Sequence, residues 1–164
     1  SNYARPGYRS RHNKGYWDHA SYLGFGPSAH SFRHNRRWWN TRSVQSYCDA
    51  VAAGKSPSAG EETLNSSQLF DEAVMLGLRG EGLNAAALRR LYGIDLLVSK
   101  ASVIGECISG NLLVAEGETL RLTDSGYLLC DEITGRLLAG VNETVDSLRL
   151  FENSSILTAN VAGR

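Results

Sequence analysis

No C-x-x-C or C-x-x-x-C pair occurs in the 164 residues, because the three cysteines, Cys48, Cys107 and Cys130, stand far apart. A zinc ribbon or a cysteine-held iron–sulfur cluster therefore has no ligand set in this chain. Scattered thiols fit a reducing, cytoplasmic setting. Long apolar runs are missing too, which excludes a transmembrane helix. The chain does not open on methionine, and Ser1-Asn2-Tyr3-Ala4-Arg5-Pro6 lacks the charged-then-apolar layout of a signal peptide. It is expected to be a fragment of something longer. Net charge is absent, with 17 Lys or Arg against 17 Asp or Glu, and 42% apolar residues is ordinary globular usage. The length suits one compact body with an appendage.

The neutral total hides two halves of opposite sign. Through Ser43 there are eight Lys or Arg against one acid, and after it nine against sixteen. All four histidines (His12, His19, His30, His34) and all three tryptophans (Trp17, Trp38, Trp39) also lie in that first stretch. Two segments with different tasks are implied. Guanidinium forks pair carboxylates or phosphates and aromatic faces stack on planar rings, so a basic, aromatic, histidine-rich segment suits a flat anionic ligand. Nucleic acid and a tetrapyrrole both meet that description.

Residues 1–53 read as a basic aromatic arm of short strands and loops, closing with a helix over Ser43–Ala53 that sets Val44, Tyr47 and Val51 on one side. Within it, Tyr22-Leu23 runs into Gly24-Phe25-Gly26-Pro27-Ser28-Ala29, a G-x-G-x-x-A turn where a ligand's polar group could approach bare backbone amides. Pro27 and the residues after it do not supply the helix that a dinucleotide site needs. Residues 54–62, GKSPSAGEE, read as a linker. Residues 63–140 then show three helical stripes, a hairpin around Glu116-Gly117-Glu118, and a closing helix. The inward positions include Leu69, Leu88, Leu91, Leu97, Ala101, Ile104, Ile108, Leu129, Ile133 and Leu137, and Asn65 (paired with Gln68), Asn84, Asp95 and Thr123 are the helix caps. The fold class is α+β, with a mainly helical, winged-helix-like C-terminal domain. Residues 141–164 are a tail. A DNA-reading role would use Arg89, Arg90 and Lys100, but Glu116 and Glu118 on the wing would repel phosphates.

Several ordered motifs carry a resemblance. Ser1 to Gly7, then His12-Asn13-Lys14-Gly15-Tyr16-Trp17, Tyr22 to Phe32 and Arg37-Trp38-Trp39-Asn40 resemble the oxygen-independent coproporphyrinogen III oxidase-like radical S-adenosylmethionine family. The H-N-x-x-Y-W element is similar to its haem-chaperone, HemW-like branch. Met75-Leu76-Gly77-Leu78-Arg79, Glu81-Gly82-Leu83, Tyr92-Gly93 and Leu122-Thr123-Asp124-Ser125-Gly126 resemble the family's C-terminal domain. The resemblance implies that residues 1–53 end a partial (β/α) barrel that holds a [4Fe–4S] cluster and S-adenosylmethionine. It also implies that Gly24, Gly26 and Ala29 line the S-adenosylmethionine pocket. The cluster's cysteine motif is not in this sequence, so radical chemistry is not expected of these residues alone.

Haem asks for an axial nitrogen, cations for two propionates and an apolar wall. His12 is the expected iron ligand, Arg9 and Arg11 the expected propionate partners, Tyr16 and Trp17 the expected wall, and Asn13 a further expected haem-binding residue. Expected partners are haem or another tetrapyrrole, the protein's own barrel domain and a haem-recipient protein; nucleic acid is not expected. The expected function is the C-terminal part of a haem-binding chaperone in porphyrin metabolism. The alternatives are the non-catalytic part of a true coproporphyrinogen III oxidase and a winged-helix nucleic-acid-binding protein.

Overall fold

The structure is a computed structural model that describes residues 20–141. The chain divides into two compact units, Ser1–Asn65 and Ser66–Arg164. Among the described residues they hold seven helices and two small antiparallel sheets, so the α+β class is correct.

The first unit is a three-stranded antiparallel sheet, β1 (His30–Arg33), β2 (Arg36–Asn40) and β3 (Ser58–Thr63), in that order, with helix α1 (Val44–Ala52) inserted between β2 and β3. Tyr22 bridges Phe32 on the free edge of β1. Ser43 caps α1 by accepting the Ser46 N–H at 3.2 Å. One expectation needs correcting. Residues 58–62, read as linker, lie in β3. Their Ser/Gly/Glu composition has low strand propensity, but β2 supplies partners that outweigh it: Arg36 pairs with Glu61, Arg37 Nη1 lies 3.0 Å from Glu62 Oε1, and Gly60 leaves room for the Trp39 ring. Val44 and Val51 are exposed, and α1 has no buried residue.

The second unit runs α2 (Ser66–Arg79), β4 (Leu83–Asn84), α3 (Ala85–Tyr92), α4 (Leu96–Ser99), α5 (Ala101–Ser109), β5 (Leu113–Glu116), β6 (Thr119–Leu122), α6 (Asp124–Leu128) and α7 (Cys130–Leu138). Strand β6 lies between β4 and β5. Three of the expected caps form: Asn84 Oδ1 accepts from the Ala87 N–H at 2.8 Å, Asp95 Oδ1 from Val98 at 3.2 Å and Thr123 Oγ1 from Gly126 at 3.0 Å. Phe70, Val74 and Leu78 recur every four residues along α2, which puts them on one face. They pack with Leu88, Leu96, Ile104, Cys107, Leu113, Leu120, Ile133 and Leu137 in a single core.

Two long helices expected from the pattern are each broken in two. The third breaks at Lys100, and the change of phase buries Leu96 fully, leaves Leu97 half-buried and exposes Ala101 and Ile108. The last breaks at Leu129, which is 40% exposed, while Ile133 and Leu137 stay inside. Leu91 faces solvent, and Leu69 is half-buried outside the core cluster. Among the described residues no helix is long and apolar enough to cross a membrane.

Candidate functional site

The most constrained non-regular segment of the first unit is the turn from Gly24 to Ala29. A side chain at Gly24 would overlap the His30 carbonyl oxygen, so this glycine answers to chain packing. Gly26 differs: its φ is +99°, a region open to glycine, and nothing lies within 4 Å of where a Cβ would be. Ser28 is also left-handed, with φ +59°.

Four backbone amides of this turn are already engaged. The Gly24 N–H donates to Ser31 Oγ at 3.0 Å, and the Gly26 N–H to Tyr47 Oη at 3.1 Å. Ser28 donates to the Thr41 carbonyl at 2.9 Å and Ala29 to the Gly26 carbonyl at 3.3 Å. Asn40 grips the turn at two points: its backbone N–H donates to the Ala29 carbonyl and its Nδ2 to the Gly26 carbonyl, each at 3.0 Å. Ser31 and Asn40 are buried polar residues, so these bonds also satisfy groups that burial would otherwise penalise. Strand β1 positions Ser31, the end of β2 positions Asn40, and the capped helix α1 positions Tyr47. Around the turn Leu23 and Phe25 project into solvent, Phe25 at 81% exposure.

Gly24, Gly26 and Ala29 thus share one turn, as the sequence requires. Arg9, Arg11, His12, Asn13, Tyr16 and Trp17 lie outside the described residues, as does His19. His30 sits on β1 with its ring 5.8 Å from that of Trp39, and His34 occupies the exposed β1–β2 tip. Cys48 is exposed on α1, whereas Cys107 and Cys130 are buried in the second unit. No group of three His, Cys, Asp or Glu that could hold a metal exists among the described residues, so this part of the chain does not fit an iron–sulfur cluster. Asn40, Tyr47 and Ser31 received no role from the sequence. Asn40 did fall within the Arg37-Trp38-Trp39-Asn40 motif, and that was its only signal.

In the second unit the cations near the hairpin are committed. Arg89 on α3 reaches Asp95 Oδ2 at 2.9 Å and Glu118 Oε1 at 2.8 Å, and Arg121 lies 3.4 Å from Glu116. The hydrogen bond that Arg89 donates to Asp95, then the one it donates to Glu118, raises the pKa of Arg89, and the same Arg89 hydrogen bond lowers that of Asp95. An arginine tied to two carboxylates is poorly placed to meet phosphate.

Comparison with known proteins completes the description. The family described as HemN C-terminal domain matches residues 64–129. The chain is 37% identical over 139 residues to a protein of Mycobacterium tuberculosis (strain CDC 1551 / Oshkosh) named heme chaperone HemW, a match covering 84% of this chain and 34% of that protein. A Bacillus subtilis (strain 168) protein of the same name is 30% identical over 139 residues, covering 84% and 37%. The chain carries the C-terminal portion of the HemN-like family. It spans about a third of the length of these curated relatives. Coproporphyrinogen III oxidase (HemN) from Escherichia coli, described as a radical SAM enzyme, shares the fold at a TM-score of 0.53 and 16% identity, covering 73% of this chain and 29% of that one. The HemN-like motifs of the second unit fall on structural joints: Thr123-Asp124-Ser125-Gly126 is the cap and first turn of α6, where a side chain at Gly126 would overlap the Leu112 carbonyl.

Proposed function

We propose that this chain is the C-terminal part of a haem-binding chaperone of the radical S-adenosylmethionine type. The observation that carries the reading is the identity of 30–37% to proteins named heme chaperone HemW over 84% of the chain. Residues 1–53 then end a partial barrel, and the helical unit is a winged-helix-like module that docks on protein. His12 is the axial ligand to haem iron, Arg9 and Arg11 meet the propionates, Tyr16 and Trp17 wall the macrocycle, and Asn13 is a further haem contact. Gly24, Gly26 and Ala29 line the S-adenosylmethionine pocket, and in such proteins that group supplies radical chemistry when bound beside a cluster.

Haem titration tests this reading. The Soret band should shift on binding, and His12→Ala should change the shifted band or weaken affinity tenfold or more, about 1.4 kcal/mol. Unchanged spectra and affinity in a folded His12→Ala variant would remove His12 from the ligand role. The oxidase reading draws on the HemN likeness, and coproporphyrinogen decarboxylation by a protein carrying this chain would favour it. The nucleic-acid reading finds little support, because Arg89 is bound to Asp95 and Glu118.

A further inference from the structure

We draw no further inference here: the strongest candidate, the exposed apolar surface of the first unit carried by Val44 and Val51 on helix α1 and by Leu23 and Phe25 beside the glycine turn, carries nothing because nothing in the structure shows what covers it.

Discussion

Removing the Phe70 ring is the sharpest probe of the helical unit. The side chain is fully buried on α2, stands edge-on to Tyr92 with centroids 5.5 Å apart and planes at 80°, and contributes to the core that also holds Val74 and Leu78. Phe→Ala in such a site costs about 3–5 kcal/mol through lost transfer energy and an unfilled cavity, and the edge contact adds on the order of 1 kcal/mol. A unit of this size is stable by only ~4–11 kcal/mol. Phe70→Ala should therefore consume a large part of the total, moving the urea midpoint by roughly 2–3 M. The assay can report the units separately, since all three tryptophans precede Ser43 and most helix lies beyond Asn65. Far-ultraviolet circular dichroism should show the large shift, and tryptophan emission should keep its wild-type midpoint. Leu129→Ala, which trims a side chain 40% exposed, should shift neither by more than about a quarter as much. A dichroism midpoint as high in Phe70→Ala as in wild type would refute the core assignment, and equal effects of Phe70→Ala and Leu129→Ala would refute the break at Leu129.

The ion pairs of Arg89 predict an acid response. Asp95 is held below its ordinary value of 3.8 by the Arg89 hydrogen bond, so its contribution is fully present above that value and is lost as pH falls through the lower folded one. Urea midpoints should drop on acidification in this range, and Arg89→Met should flatten the drop; an identical pH profile in the variant would count against the clamp. The thiols should separate kinetically: an aromatic disulfide reagent should modify exposed Cys48 at once and reach buried Cys107 and Cys130 only on unfolding. Rapid loss of all three thiols in the folded protein would contradict the packing.

Local signals proved sufficient where a residue acts on its own neighbours. Asn84, Asp95 and Thr123 cap helices because each puts an oxygen three residues ahead of a free N–H, and that geometry is contained in a few consecutive residues. The hairpin of β5 and β6 was legible for the same reason. Signals that depend on distant partners were not. The Ser58–Thr63 strand has no strand-like composition, and it exists because Arg36, Arg37 and Trp39 meet it across β2. The breaks at Lys100 and Leu129 are invisible to a running apolar period, because the period on either side remains helical and only its phase changes.

The turn at Gly24–Ala29 shows the same divide within one site. That two glycines and an alanine make a tight turn follows from their spacing, but whether the turn offers donors or acceptors depends on where Ser31, Asn40, Thr41 and Tyr47 arrive in space. None of these four lies within the G-x-G-x-x-A motif, and Tyr47 reads in sequence as an apolar position on α1. Its hydroxyl nevertheless removes the Gly26 amide from any ligand's reach. A glycine motif thus specifies backbone shape alone. Whether that shape keeps backbone N–H groups available to an anion is set by the residues that close around it.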